Sequence, residues 1–266
     1  MLLETFPTRK RFDELLENAT VIPVGVRILA DTETPVSVLA RFANTNENVF
    51  LFESADGGER WGRYSFMGTS ARAVVTVFRK DVVLREGIHE TRIPHHDDPM
   101  AVLRNIMKPY QLAALPGLPR FCGGLVGYLA YEMAHFFESR VPNKLPADRP
   151  MAEMMIPENL LIFDNVTHTL SVMALAYKAD GSADEIYQAA QDRVNALLEQ
   201  LDTPVAESIH ANKRPIILPQ PVNPPEQYMN MVTEVKNHTP GADIFRGVFP
   251  RCSAAGPPQP PSPSTR

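Results

Sequence analysis

The chain has 266 residues, 44% of them hydrophobic and 21% charged, which is enough apolar side chain for a sizeable core and argues against wholesale disorder. A formal net charge of -5 leaves no basic stripe to neutralise phosphates, which speaks against a nucleic-acid role. Two cysteines, Cys122 and Cys252, make neither a disulfide framework nor a metal-ligand pattern, and they suit a reducing cytoplasm.

Met1-Leu2-Leu3-Glu4 carries an acid where a signal peptide needs basic and then apolar residues, and no apolar run is long enough to span a bilayer. The expected location is therefore the cytoplasm. Arg9, Lys10 and Arg11 form a short basic cluster that reads as a solvated helix start. Phe12, Leu15 and Leu16 at helical spacing predict that first amphipathic helix. Val21-Ile22-Pro23-Val24 begins an extended segment, with the proline favouring an edge or a strand start. Thr34-Pro35 opens a second helix: threonine caps it, and proline sits where no amide hydrogen is needed.

Val49-Phe50-Leu51-Phe52 is an apolar run suited to a buried strand. Asp56-Gly57-Gly58 supplies turn chemistry, and Arg63 to Met67 alternates as the return strand. The odd feature is Glu53-Ser54 at the exit of the apolar run. A carboxylate and a hydroxyl there must be solvated, paired or bound to something. The plain reading pairs Glu53 with Arg60 or Arg63 and lets Ser54 cap the turn.

Ala73 to Phe78, Val82 to Leu84 and Thr91 to Ile93 read as an antiparallel meander. Asp98-Pro99 repeats the cap-plus-proline signal before a helix with Met100, Leu103, Ile106 and Met107 on its core face. Gly123-Gly124-Leu125-Val126-Gly127 tempts a phosphate-loop reading. It lacks both the dinucleotide fingerprint and the P-loop Lys-Ser/Thr, so the glycines are read as permitting close backbone approach. Two strands come next, 157–164 and 170–175, joined by a loop that accounts for Asp164 and His168 through turn chemistry, with His168 exposed. Ser182 to Glu185 is a capping box heading a long amphipathic helix through Leu201. Residues 202–225 are proline-rich and read as a linker. Pro224-Pro225-Glu226 starts another helix, and the proline-rich stretch 250–266 is expected to be disordered.

The stretch Phe50 to Gly68 resembles a segment of anthranilate synthase component I, a Leu-Leu-Glu-Ser sequence followed by Gly-Gly-Glu-(Arg/Lys)-Trp-Gly-Arg-Tyr-Ser. Phe52 stands where the family has its second leucine. Phe121 to Glu132 is similar to the same family's Gly-Gly-Leu-Val-Gly-Tyr motif. Tyr131-Glu132 and Phe137-Glu138 match the Tyr-(Asp/Glu) and Phe-Glu pairs that the family carries after it. The resemblance implies an α+β fold, with antiparallel β-sheets in a sandwich-like arrangement and peripheral helices. It implies that Glu53, Ser54, Arg63 and Tyr64 contribute to a site for L-tryptophan, the feedback inhibitor. It also implies that the full-length family member converts chorismate to anthranilate with magnesium and with ammonia from a glutamine amidotransferase subunit. No catalytic residue and no cofactor site are carried over to this chain. The sister enzyme aminodeoxychorismate synthase component I and a stand-alone tryptophan-binding module are the alternatives.

On this reading residues 1–201 are the N-terminal regulatory domain, 202–225 the linker and 226–249 the start of a truncated chorismate-binding domain. Gly241-Ala242-Asp243-Ile244-Phe245 is similar to the family's Gly-Asp-Ile-Phe strand, and the resemblance fades after it. For a suitable choice of codons, Pro261-Ser262-Pro263-Ser264-Thr265 reads Phe-Ala-Leu-Tyr in another frame, a string the family has soon after that strand. The expectation is a frame-shifted tail, and the alternative is a natural proline-rich tail on a stand-alone domain. Sequencing the gene tests it: restoring one base should reopen an in-frame catalytic domain, and finding none would refute the idea.

Overall fold

A computed structural model describes residues 2–42, 48–53, 62–138, 140–143, 145–204, 220–221, 224–239 and 253–254. The chain divides into two compact units, Met1–Glu207 and Ser208–Arg266. In the second unit α5 (Pro225–His238) starts at the expected proline pair. A short antiparallel pair joins β12 (Gln220–Pro221), in the expected linker, to β13 (Ser253–Ala254), in the stretch expected to be disordered. The Gly241 to Val248 strand expectation lies outside the described residues.

The first unit is α+β, with two antiparallel sheets among the described residues. The larger has the order β1 (Leu2–Phe6), β2 (Val21–Leu29), β11 (Thr169–Tyr177), β10 (Asn159–Asp164), β4 (Tyr64–Gly68), β3 (Phe50–Phe52). The smaller runs β7 (His89–Pro94), β6 (Asp81–Glu86), β5 (Ala71–Val77), β9 (Ala152–Pro157), β8 (Val126–Leu129). Pro23 is tolerated in β2 because β1 reaches only as far as Gly25, so no neighbour on that side needs an amide hydrogen from it.

Helices form where local signals place them. In α2 (Pro35–Phe42) the Ser37 amide donates to Thr34 Oγ1 at 3.0 Å. In α3 (Pro99–Met107) the Ala101 amide donates to Asp98 Oδ1 at 2.9 Å. In α4 (Ala183–Leu201) both halves of the Ser182–Glu185 capping box are present. The apolar stripe of α4 (Ile186, Ala190, Val194, Leu197) covers one face of the large sheet. It meets Leu170, Val172, Ala174 and Ala176 of β11, with Phe12 of α1 (Arg9–Leu16) and Val38 and Phe42 of α2 filling in beside it. Every position of β11 is buried, which is why its sequence reads as nearly unbroken apolar. Leu160, Ile162 and Met173 face the other way and pack under the segment around Leu115, Leu118 and Phe121.

Two strand pairs pass together from one sheet to the other. β4 leads into β5 through Thr69-Ser70, and β9 leads into β10 through Glu158. The Glu158 amide donates to the Ser70 carbonyl (2.9 Å), the Leu175 amide donates to the Glu158 carbonyl (2.8 Å), and Asn159 Nδ2 donates to Ser70 Oγ (2.8 Å). The hydrogen-bonded ladder therefore continues through the bend, although Asn159 Oδ1 is buried there without a partner among the described residues.

β3 departs from the expectation of a buried strand. It is the edge of the large sheet, and Phe52 is 51% exposed. The glycine reading is met at Gly127 in β8, where a Cβ would overlap the Glu153 carbonyl oxygen and sit 2.6 Å from Met154 Cα. Gly127→Ala should lower unfolding stability by about 1–3 kcal/mol, read from the urea midpoint, because neither neighbour is a flexible side chain.

Candidate functional site

The face of the large sheet turned away from α4 carries polar residues at one end. Strand register aligns them in two rows. The first runs Glu4, Arg27, Ser171, Ile162, Phe66. The second, two residues along each strand, runs Leu29, Thr169, Asp164, Tyr64. Neighbours within a row sit on adjacent strands, about 5 Å apart. The 115–121 segment crosses above them, and between the two lies a cavity of about 340 Å³ whose lining includes Arg27, Arg63, Tyr64, Asp164, Thr169 and Ser171. That is within the size range of small-molecule pockets.

Asp164 holds Arg63 in a bidentate pair, with Nη2 2.7 Å from Oδ2 and Nε 3.1 Å from Oδ1. It also accepts from the amides of Val166 (3.1 Å) and Thr167 (3.3 Å), so the turn and the ion pair share one carboxylate. Arg63 in turn lies over the Tyr64 ring, 4.9 Å from its centroid. Desolvation pushes the Asp164 carboxyl upward, but the Arg63 hydrogen bonds and the two amides outweigh it and leave the group below the ordinary aspartate range. Arg63 is correspondingly raised, through its hydrogen bonds to Asp164 and against its own desolvation. On the other wall Arg27 donates through Nη1 to Glu4 Oε2 and through Nη2 to the Gly117 carbonyl, both at 2.8 Å.

Of the residues the sequence pointed to, Arg63 and Tyr64 meet at this cavity. Glu53 follows the end of β3, is exposed and is not among the residues lining the cavity. Ser54, the Asp56 to Gly58 turn and Arg60 lie outside the described residues. The partner of Arg63 is Asp164, where sequence reasoning offered Glu53. His168 is exposed in a left-handed conformation, as a hairpin residue with φ of 51°. Arg27, Thr169 and Ser171 were not singled out. Their signal was faint: Thr169 and Ser171 are two polar residues at strand spacing in an otherwise apolar run, hence on one face.

Cys122 is buried, donates to the Pro119 carbonyl at 3.0 Å and is pushed by burial to a pKa of about 11, so it is no nucleophile at neutral pH. Among the described residues no group of three or more His, Cys, Asp and Glu side chains is placed to hold a metal ion. Nor is any helix there long and apolar enough to cross a membrane.

The Asp164 pair sets a pH dependence. Because the folded-state value lies below the unfolded one of about 3.9, its stabilisation is fully present above about pH 4 and is lost as pH falls through the folded-state value. Asp164→Asn should therefore be less stable than wild type at neutral pH. The gap between their melting temperatures should close on acidification below about pH 4.

The family model described as chorismate binding enzyme matches residues 47–262. Anthranilate synthase component 1 of Pseudomonas aeruginosa is 36% identical over 187 residues, which cover 69% of this chain and 37% of that protein. The Pseudomonas putida protein of the same name is 32% identical over 255 residues, covering 89% of this chain and 49% of that protein. The chain thus spans at most about half the length of these curated relatives. A crystal structure of anthranilate synthase component I from Streptococcus pneumoniae TIGR4 superposes with a TM-score of 0.57 at 18% identity, covering 82% of this chain and 46% of that one. At that identity the likeness speaks for the fold, and it agrees with the two antiparallel sheets and few helices described above. With the family model matching across most of its length, the chain belongs to the chorismate-binding enzyme family.

Proposed function

We propose that this chain is the inhibitor-sensing part of an anthranilate synthase component I and that its ligand is L-tryptophan, met by Glu53, Ser54, Arg63 and Tyr64. The observation that carries the reading is the meeting of Arg63 and Tyr64, two residues of the motif most similar to that family, at one cavity of small-molecule size. The names of the relatives support it. An aromatic ring stacked under a guanidinium suits the edge of an aromatic amino acid.

In the whole family member, chorismate would be converted to anthranilate with magnesium and with ammonia from a glutamine amidotransferase subunit. The described residues do not fit magnesium, since they offer no cluster of carboxylates, and no step of that reaction is assigned to them. The resemblance places the second wall of the tryptophan pocket on an Asn-Pro-Ser-Pro segment, and this sequence has no such run. A ligand that lacks the cover of that segment keeps wet surface, so binding should be weak.

Calorimetry on the purified chain should give an L-tryptophan Kd of about 1 mM or weaker, and low-micromolar binding would contradict the incomplete pocket. Supplied with chorismate and ammonia, the chain should form no anthranilate, read by its fluorescence. Turnover would place the reactive residues in this chain after all.

A further inference from the structure

We infer that Arg27 and Ser171 form the carboxylate-binding wall of this cavity, so that it takes its amino-acid ligand by the α-carboxylate on the side away from Arg63. The inference rests on the tryptophan reading above for the identity of the ligand, and on the geometry for the orientation.

The two arginines of the cavity are not equivalent. Arg63 has its Nε and Nη2 committed to Asp164, and its guanidinium face lies on Tyr64. Asp164 cannot easily release it, because this carboxylate is 14% exposed and is fixed by two turn amides besides. Among the described residues Arg27 commits only two of its five N–H donors, one each from Nη1 and Nη2. Its acidic partner Glu4 is 54% exposed and stands on the edge strand β1, where solvent competes for it. An incoming carboxylate can replace Glu4 at Arg27 at little cost. The same exchange at Asp164 would strand a mostly buried charge.

The guanidinium is also held ready. Gly117 has φ of +81°, and a Cβ there would lie 3.2 Å from Arg27 Nη2. Glycine at this place lets the carbonyl accept from Arg27 without a side chain in the way. The contact aims the guanidinium from the loop that roofs the cavity, and it remains when Glu4 leaves.

Ser171 is the second, independent observation. It is Arg27's register partner on β11, is 6% exposed, and lines the cavity. Its hydroxyl takes part in no hydrogen bond among the described residues, whereas the neighbouring Thr169 hydroxyl is engaged by Thr167 at 2.9 Å. The Ser171 oxygen is not sealed from solvent, so its O–H stands free at the cavity to donate to a ligand. A carboxylate oxygen bonded to Arg27 accepts from Ser171 in the same row. The ligand's ammonium then faces Thr169 and Asp164 in the next row, and its ring lies toward Tyr64, Ile162 and Pro119, which also line the cavity.

Ligand-observed NMR on the whole chain tests this with three probes: L-tryptophan, indole-3-propionate, which lacks the ammonium, and tryptamine, which lacks the carboxylate. Wild type should bind both carboxylates about tenfold or more tightly than tryptamine, the range of one charge-assisted hydrogen bond. Ser171→Ala and Arg27→Gln should each weaken L-tryptophan about tenfold and narrow the gap to tryptamine. Should Arg27→Gln fail to fold, Ser171→Ala decides alone, since it removes one oxygen that holds no bond to the described residues. L-tryptophan binding that is unchanged in Ser171→Ala, with tryptamine still rejected, overturns the carboxylate wall and leaves the tryptophan reading standing. No binding of any probe to wild type at about 10 mM overturns that reading itself, and the wall with it.

Discussion

The paired bend between the two sheets is the constraint on which the rest of the first unit depends. β4 and β10 enter it hydrogen-bonded and emerge as β5 and β9, still antiparallel to each other. At the corner Ser70 is used twice, its carbonyl by the Glu158 amide and its hydroxyl by Asn159. Asn159 is buried and Ser70 half-buried, so water competes poorly for these bonds. Breaking one strands a polar group in the interior, which costs about 1–3 kcal/mol. The bend thereby fixes the register of β10 against β4. That register sets Asp164 opposite Tyr64, beside Arg63.

At the cavity, two ion pairs do different work. Arg63 and Asp164 make a closed structural unit that ties the end of β4 to the hairpin between β10 and β11. Arg27 and Glu4 make an open pair at the sheet edge, in which Arg27 keeps donors not committed among the described residues. Charges balance across the site, so it attracts no ion by net field. What it offers instead is separated charge, a cation on one wall and a carboxylate on the other, over a floor of hydroxyls and one isoleucine. That pattern complements a zwitterion better than a simple anion.

Local features were legible from the residues alone. Thr34-Pro35, Asp98-Pro99 and the Ser182–Glu185 box act within one helical turn, and each helix begins where its cap stands. The meander of β5 to β7 was legible for the same reason, its turns being short. Partnerships distant in sequence were not. Phe50 to Phe52 is apolar enough for an interior strand, yet nothing local says that β3 has a neighbour on one side only among the described residues. Asp164 was explained by turn chemistry, which is true of its amide bonds and silent about Arg63, about a hundred residues away. Arg27 and Ser171 become a pair only through the β2–β11 register. The family motif brought Arg63 and Tyr64 into view, and only the assembled sheet shows what stands across from them.

The long pairing of β2 with β11 has a consequence for biogenesis. Nine consecutive residues near the start of the chain have β1 on one flank and find the partners for the other flank in Thr169 to Tyr177. On the ribosome, Val21 to Leu29 must wait with an unfilled flank until that late strand emerges from the exit tunnel. Topologies with such distant pairings fold slowly. The interval is when an exposed apolar strand is most in need of a chaperone.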